Sequence, residues 1–265
     1  MKLDLEICRT IAVRSGLPLQ FVFKDLHLMN ILSKLAAAAP SESNSLVFKG
    51  GTALNKVYIG GMQRFSEDVD FDLISKTTIH DALSFSKGLA SALDEYDVNE
   101  FRRIGNMVQF YCKYETPLGG RDNVRIDISP KPLIIAKPLE IRKIESEFTH
   151  SSVTGLKIYA VEDLTARKMN ALASRDEGKD LYDVSIALPL CSIKVLRKAV
   201  MCMLESEGRS ITVPEFVSRL KERVKKSNVA RLRNFTNPFI PIDRRPKDWG
   251  ELKNNLLLKL EELRL

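Results

Sequence analysis

Residues Lys49–Leu73 read KGGTALNKVYIGGMQRFSEDVDFDL, and the last six alternate strictly between acidic and apolar side chains. A period of two is typical of a strand, whose successive side chains point to opposite faces. The apolar face comprises Val69, Phe71 and Leu73, and the acidic face comprises Asp68, Asp70 and Asp72. Three like charges on one face repel each other unless a cation lies among them. The strand therefore predicts a divalent-cation site formed by Asp68 and Asp70, whose backbones lie about 6.5 Å apart.

The alternative for this strand is a solvent-facing surface with acids that serve solubility, although such a face usually mixes Lys, Thr and Ser. A second feature of the sequence favours the metal site. LVFK is a short apolar strand that runs into Gly50-Gly51-Thr52 and then into a helical pattern. Glycines let the backbone approach a ligand, and a helix N-terminus offers free N–H groups to an anion. A glycine pair alone is most often only a turn. With an acidic strand 16 to 18 residues later, it predicts that these amides hold the phosphates of a nucleoside triphosphate (NTP).

A third carboxylate is expected if two metal ions take part, since two ions need more ligands than one Asp pair supplies. The strand NVRIDIS provides Asp127, which shares a face with Arg125 and Ser129 while the intervening residues face the core. We therefore predict Asp68, Asp70 and Asp127 as ligands of Mg²⁺ or Mn²⁺. Asp127 is also the candidate base for an attacking hydroxyl.

The order of elements predicts the α/β (α+β) class, with a mixed β-sheet flanked by helices and an all-helical C-terminal part. Residues 1–155 alternate between strand and helix patterns, which predicts a first domain. Residues 156–265 hold one last strand, LKIYAV, and then almost only helical pattern, which predicts a second domain. The predicted helices of that second domain cover 161–175, 180–189, 193–206, 214–226 and 248–264.

These motifs resemble the AbiEii/AbiGii toxin family, within the nucleotidyltransferase (DNA polymerase β-like) superfamily. The superfamily pattern is Gly-Gly or Gly-Ser, then Asp-x-Asp, then an acidic residue on a later strand. Here it is matched by Gly50-Gly51, Asp68-x-Asp70 and Asp127. The family-specific part is RFSE, residues 64–67, directly before the Asp pair. A second family segment, VEDLTARKMNALASRDEGKDLYDV, covers residues 161–184. The resemblance is specific over 47–74 and 161–184, and the last 60 residues carry no motif of the family.

The resemblance implies a nucleotidyltransferase fold and a toxin of a toxin–antitoxin pair with a cognate antitoxin. It implies that Lys168 is a phosphate ligand and that Asp180 takes part in catalysis. Arg64 and Ser66 either reach the same phosphates or fix the turn, and both alternatives remain open. The family usually has Arg-Asp where this chain has Lys179-Asp180. Because lysine lacks the bidentate fork of arginine, Lys179 is not included among the candidate site residues. A pair of salt-bridged helices without function is the alternative for this segment.

The composition excludes a membrane protein, and the distribution of charge indicates a kind of partner. The chain has 265 residues, 44% of them hydrophobic, and no apolar run approaches the length of a membrane span. Four scattered cysteines without metal spacing predict reduced thiols in a cytoplasmic protein. The net charge is +7, and Leu220–Leu265 hold 12 Lys and Arg against 6 Asp and Glu. Such asymmetry fits a polyanionic partner. The family resemblance implies an RNA acceptor of the tRNA type, and this basic region suits it. A solvated lysine-rich face is the alternative.

The predicted reaction is in-line attack of an acceptor hydroxyl on the α-phosphate of the NTP, with pyrophosphate leaving. Two other functions remain open from the sequence. One is transfer to a small molecule or a protein side chain, which would use the same site without the basic region. The other is a nucleotide-binding regulatory module without turnover. The complete set of three aspartates argues against this last possibility.

Overall fold

The computed structural model describes residues 4–38, 46–74 and 78–264. The described chain begins with two helices, α1 (Leu5–Ser15) and α2 (Leu19–Ala38). Helix α1 is capped by Asp4, whose carboxylate accepts hydrogen bonds from the first-turn amides, and ends at Gly16 with a φ of 64°. That left-handed conformation suits glycine. Helix α2 buries a long row of apolar side chains against the sheet, including Leu28, Ile31 and Leu32.

The centre of the fold is a mixed sheet of seven strands. In chain order they are β1 (Leu46–Lys49), β2 (Asp68–Leu73), β3 (Phe101–Ile104), β4 (Met107–Glu115), β5 (Arg121–Pro130), β6 (Glu140–Ile141) and β9 (Lys157–Ile158). Their spatial order is β3-β4-β5-β2-β1-β9-β6. Strand β2 pairs antiparallel to β1 and parallel to β5, so the predicted mixed sheet is confirmed. A separate hairpin joins β7 (Ile144–Ser146) and β8 (Ser151–Val153).

The predicted turn from strand to helix after β1 is present. Helix α3 (Gly50–Leu54) follows β1 directly and continues into one π-helical turn, Asn55–Ile59. Helix α4 (Ile79–Ala90) is capped by the Thr78 hydroxyl and packs against β4 and β5, in the same apolar cluster as α2. The apolar faces of the strands are fully buried, as the alternation in β2 and β5 predicts: Val69, Phe71, Val124, Ile126 and Ile128 are all inaccessible to solvent.

The chain from residue 161 onward is helical. It forms α5 (Val161–Ser174), α6 (Gly178–Ala187), α7 (Ile193–Ser206), α8 (Val213–Lys226), α9 (Val229–Thr236) and α10 (Trp249–Arg264). Five of these six helices fall within one or two residues of the predicted bounds. Helix α9 was not predicted from the sequence. It is capped by Asn228, whose side chain accepts a hydrogen bond from the Arg231 amide.

The buried apolar side chains form two main clusters. One lies around the sheet and α2, and the other lies among α5 to α10. Leu164 of α5 belongs to the first cluster, and Ile186 of α6 packs against both. The start of the helical region therefore packs on the sheet, and the division at 155/156 stays a prediction. No helix among the described residues is both long and apolar enough to cross a membrane.

Candidate active site

A cleft of about 730 Å³ lies where the polar end of the sheet meets α5 and α6. Its walls come from the β1–α3 junction, from β2 and β5, and from the two helices. Nine Lys and Arg and seven Asp and Glu side chains line it. A pocket this polar, with a small excess of cations, suits a highly charged anionic ligand better than an apolar one. The predicted acidic strand and the predicted glycine turn both open onto this cleft.

Strand register brings the predicted aspartates together. Asp70 of β2 is paired with Asp127 of β5, and Asp68 is paired with Arg125. On the outer sides of that row, Lys49 is paired with Asp70 and Gln109 with Asp127. Paired residues on neighbouring strands point to the same face, so Asp70 and Asp127 lie side by side on the cleft wall. Asp68 lies one pleat away on the same face.

Asp70 is the least compensated carboxylate of the row. It is partly buried, and no hydrogen-bond donor or ion-pair partner contacts it among the described residues. Burial, followed by the nearby charge of Asp68, raises the pKa of Asp70 to about 7. Asp127 is also buried and accepts a hydrogen bond from Gln109 Nε2 at 3.0 Å. Burial likewise raises the pKa of Asp127. Burial is the main cause of both shifts, and the charge of Asp68 adds to it.

Arg125 places a positive charge among these carboxylates. Its guanidinium contacts Asp68 Oδ2 through Nη2 at 2.5 Å and Asp127 Oδ2 through Nε at 3.2 Å. The side chain is 40% exposed and therefore faces the open cleft. Sequence analysis placed Arg125 on this face but gave it no role. In the structure, it is the cation that lies between two of the three predicted metal ligands.

The donor chemistry of this wall fits a divalent cation. Three carboxylates on one face supply the hard oxygen ligands that Mg²⁺ and Mn²⁺ prefer, and Asp70 has no other partner. The described residues nevertheless contain no group of three or more His, Cys, Asp or Glu that already converges as a metal site. In the structure, Arg125 lies between Asp68 and Asp127 and contacts both carboxylates.

The two glycines of the turn leave no room for a side chain. Gly50 has a φ of +78°, and a Cβ there would lie 2.2 Å from Asp70 Oδ2. A Cβ on Gly51 would lie 2.6 Å from Arg64 Nη2 and 3.1 Å from Lys168 Nζ. The glycines are therefore required so that the Asp70 carboxylate and the two cations can approach the backbone. This places the predicted phosphate-binding turn beside Lys168.

A buried ion network forms the opposite wall. Lys168 Nζ of α5 lies 2.5 Å from Asp180 Oδ1 and 3.1 Å from Asp183 Oδ2 on α6. Asp180 also accepts from Arg175 Nε at 2.6 Å. Although burial acts to raise them, Lys168 and the neighbouring arginines hold the pKa values of both aspartates below their usual range. The expected surface salt bridge between two helices is thus a buried network, in which Lys168 is only 9% exposed.

Arg64 is part of this network. Its Nε and Nη2 donate to the two carboxylate oxygens of Asp183 at 2.8 and 2.6 Å, and its Nη1 donates to the Phe65 carbonyl. Of the two alternatives for Arg64, these contacts support the fixing of the turn. Arg64 still borders the cleft, so a second role toward a ligand stays a prediction.

Thr52 and Ser66 do not line the cleft. The Thr52 hydroxyl donates to the main-chain oxygen of Asp68 at 2.6 Å and so ties α3 to β2. Ser66 is buried, and its hydroxyl has no hydrogen-bond partner among the described residues. Their side chains are therefore not brought to the site. Of these two residues, only Thr52 stays a candidate anion ligand, through its main-chain amide.

Sequence analysis missed several residues of the cleft. Lys49 Nζ lies 2.5 Å from Asp72 Oδ1, and the Tyr159 hydroxyl donates to Asp72 Oδ2 at 2.7 Å. Asp72, on the same strand face as Asp68 and Asp70, is therefore a fully buried structural carboxylate. Arg167 also lines the cleft, with its guanidinium 4.4 Å from the Tyr159 ring centre. Lys49 precedes the glycine pair directly, and this position was the signal available in the sequence.

The basic C-terminal region does not reach this cleft. No described residue from 220 to 264 lines it. Lys221 is buried against Glu261, Lys225 pairs with Glu222, and Arg244 pairs with Glu147. The part that this region would take in binding an RNA acceptor therefore stays a prediction, and it would lie outside the lining of the cleft. Arg231 alone approaches, at a smaller groove beside the cleft.

Comparison with solved structures gives three matches, and the first of them supports the same fold. MenT4, a nucleotidyltransferase toxin from Mycobacterium tuberculosis, is 20% identical and covers 99% of this chain and 90% of its own, with a TM-score of 0.69. An antigenic nucleotidyltransferase-like protein from Paracoccidioides brasiliensis is 18% identical over 73% of this chain and 92% of its own, with a TM-score of 0.44. The CD-NTase CdnG of Bradyrhizobium diazoefficiens, solved with GTP, is 12% identical over 99% and 89%, with a TM-score of 0.30. No curated protein sequence matches this chain.

Comparison with protein families gives a match over residues 33–262 to the family described as nucleotidyl transferase AbiEii toxin, type IV toxin–antitoxin system. The matched segment holds the glycine turn, the three aspartates and the Lys168 network, and every cleft residue except Lys24. The chain is therefore a nucleotidyltransferase, a member of the AbiEii toxin family of toxin–antitoxin systems.

Proposed function

We propose that this toxin transfers a nucleotide from an NTP to a hydroxyl of an RNA acceptor of the tRNA type, with Mg²⁺ or Mn²⁺ as the cofactor. The observation that supports the proposal most directly is the register of β2 and β5. It sets the unpaired Asp70 beside Asp127, across the cleft from Lys168. The carboxylates of one wall suit a divalent cation, and the Lys168 ammonium beside the glycine turn suits the phosphates of the NTP.

Each wall has a separate task in this proposal. Asp68, Asp70 and Asp127 are the metal ligands, and the bound cation supplies charge stabilisation for the phosphate under attack. The Gly50, Gly51 and Thr52 amides hold the phosphates at the N-terminus of α3. Lys168, next to Gly51, offsets the charge that develops on the leaving pyrophosphate. Asp127, with a raised pKa, takes the proton of the attacking hydroxyl.

The remaining charged residues of the site act on those groups. Asp180 and Asp183 hold the Lys168 ammonium at the glycine turn, and Arg175 and Arg64 fix these two carboxylates. Arg125 keeps Asp68 and Asp127 paired with a cation when no metal is bound. A cognate antitoxin, the partner implied by the family, would control this activity in the cell.

The test is incubation of the purified protein with total RNA, Mg²⁺ and each of the four labelled NTPs in turn. Label on RNA of tRNA size supports the proposal, and Asp70→Asn is the inactive control. Label on the protein itself or on a small molecule would instead favour the second candidate, transfer to another acceptor. That candidate is favoured by one observation, the absence of residues 220–264 from the cleft lining.

A further inference from the structure

A second recess opens beside the cleft, between the start of α6 and the outer face of α9. It has a volume of about 350 Å³. Its floor is apolar and is formed by Leu232, Phe235 and Phe239. Glu177 and Lys179 line both this groove and the cleft, so the two recesses are continuous. The proposed reaction assigns the groove no role.

Phe235 is the unusual residue of this groove. Its side chain is 70% exposed, and it is the only aromatic among the exposed large apolar side chains of the described residues. A phenyl ring in water at the rim of a functional cleft leaves apolar area that a ligand can cover. Phe239, deeper in the groove, is covered on one side by the stacked ring of Phe21. Phe235 therefore offers the free aromatic surface.

The groove is held rigidly to the catalytic wall. A Cβ on Gly178 would lie 2.1 Å from Thr236 Oγ1 and 2.6 Å from the Leu232 carbonyl oxygen. The first turn of α6 is thus in direct backbone contact with α9, two residues before Asp180. Trp249 Nε1 donates to Asn237 Oδ1 at 3.0 Å and fixes the chain after α9. A ligand that rests on Phe235 is consequently positioned relative to Asp180 and Lys168.

Cations surround the aromatic surface. Residues 175–179 and 231–235 together carry four Lys and Arg against two Asp and Glu. Lys179 Nζ lies 3.9 Å from the centre of the Phe239 ring, on the side where groove and cleft join. Arg231 lies 4.0 Å from Asp176, a loose contact that leaves its guanidinium available, and Arg233 is exposed. An aromatic platform with flanking cations is typical of proteins that bind unpaired nucleotides.

We propose that this groove is the subsite for unpaired nucleotides next to the reacting hydroxyl of the RNA acceptor. One base stacks on Phe235, and Arg231 contacts a neighbouring phosphate. The inference rests on the proposed function, because a strand whose terminal hydroxyl enters the cleft must carry its preceding nucleotides out of it. The groove is the recess that continues the cleft on the α6 side.

The test uses a short single-stranded RNA with 2-aminopurine near its 3′ end, because stacking on an aromatic side chain quenches this fluorophore. We expect the wild-type protein to quench it on binding. Phe235→Ala should lose the quenching and bind the RNA about 5- to 100-fold more weakly, whereas Phe235→Trp should retain both. Leu258→Ala is the matched control, since Leu258 is an equally exposed apolar side chain on α10 and its loss should change neither readout.

Two further measurements separate this inference from the proposed function. Arg231→Gln should flatten the log–log salt dependence of RNA affinity by about 0.7. Stabilisation by Mg²⁺ and NTP, followed by thermal unfolding, should be equal in all variants, which also shows that they are folded. If Phe235→Ala binds RNA as the wild type does while the wild type still labels RNA, the subsite is wrong and the proposed function stands. If the wild type binds NTP but no RNA, both the subsite and the RNA acceptor are wrong.

Discussion

Asp70 and Asp72 lie two residues apart on the same strand face but have opposite electrostatic surroundings. Asp72 is fully buried, with Lys49 and Tyr159 on its two oxygens. Asp70 has no donor among the described residues and lies near two other carboxylates. Alternation in the sequence predicts the shared face. It does not predict which carboxylate is paired, because the partners come from β1 and from the segment before α5, whose approach depends on the folded sheet.

This contrast gives a prediction for two isosteric variants. Asp70→Asn should abolish transfer, yet unfold at the same temperature as the wild type or higher in the absence of metal, because a repulsive charge is removed. Asp72→Asn should lower the unfolding temperature, because Lys49 loses its buried partner. Thermal unfolding with and without Mg²⁺ and NTP checks both. Equal stabilisation of the wild type and Asp70→Asn by these ligands would contradict the metal assignment.

Lys168 lies in a buried network, so its removal should affect folding as well as activity. Lys168→Ala leaves Asp180 and Asp183 without their shared ammonium, and we expect a loss of about 3–5 kcal/mol in the free energy of unfolding. Urea denaturation measures this loss. The double variant Lys168→Met with Asp180→Asn should recover part of the stability but none of the NTP affinity. Normal NTP affinity in the double variant would rule out Lys168 as a phosphate ligand.

His27 gives a prediction for pH dependence. It is buried and stacked on Tyr114 at 3.6 Å, and burial lowers the pKa of His27 from 6.5 to about 4. Between these two values, the unfolded chain binds a proton that the folded chain does not, so stability falls as the pH drops from about 6.5 to 4. The slope contributed by His27 is at most about 1.4 kcal/mol per pH unit. His27→Phe, which keeps the stacking, should unfold with a shallower pH dependence over this window. An unchanged slope would contradict this origin.

At the scale of elements, periodicity predicts the long segments and fails for the short ones. Strands β2 and β5 alternate over six or more residues, and five of the last six helices follow a clear period. Helix α9 has eight residues and buries only Leu232 and Thr236. Two buried positions are too few to show a helical period in the sequence. The Arg64–Asp183 pair joins residues 119 positions apart. Such a pair depends on how α6 packs against α3, which no local pattern encodes.

Because α6 and α9 are in close contact, we predict that replacing glycine by alanine has opposite effects on stability at two positions. Gly178→Ala puts a methyl group into the Thr236 side chain and the Leu232 carbonyl, and it should cost about 1–3 kcal/mol of stability. Gly88→Ala is the matched control, because Gly88 lies inside α4 with no atom near its Cβ position. This second variant should gain about 0.5–1 kcal/mol. Chemical denaturation of both variants gives the comparison, and a neutral Gly178→Ala would contradict the close packing of α9.

At the scale of the whole molecule, the helical region completes the sheet region. Strand β9 pairs with β1, and Leu164 and Ala187 lie in the core around the sheet. Asn55 and Arg64 both direct their polar groups at Asp183. A polar group buried without its partner is costly, so the sheet region depends on α6 for its stability.

A fragment of residues 1–155 should therefore not fold, even though this was the predicted first domain. Its circular dichroism should lack the cooperative thermal transition that the full chain shows. In the full chain, the near- and far-ultraviolet circular dichroism signals should both be lost at the same temperature. A folded fragment, or two separate transitions in the full chain, would show that the regions are independent and would support the boundary at 155/156.

The bond between Arg64 and Asp183 also bears on how a cell can make this toxin safely. Synthesis runs from the N-terminus, so the glycine turn and the three aspartates leave the ribosome well before α6. Until Asp183 emerges, Arg64 and Asn55 lack their partner, and the Lys168 ammonium has neither of its carboxylates. A nascent chain therefore holds half of its cleft in an unassembled form. Translation that stalls or terminates before helix α6 would release inert polypeptide, and toxicity would begin only with chains that extend past this helix.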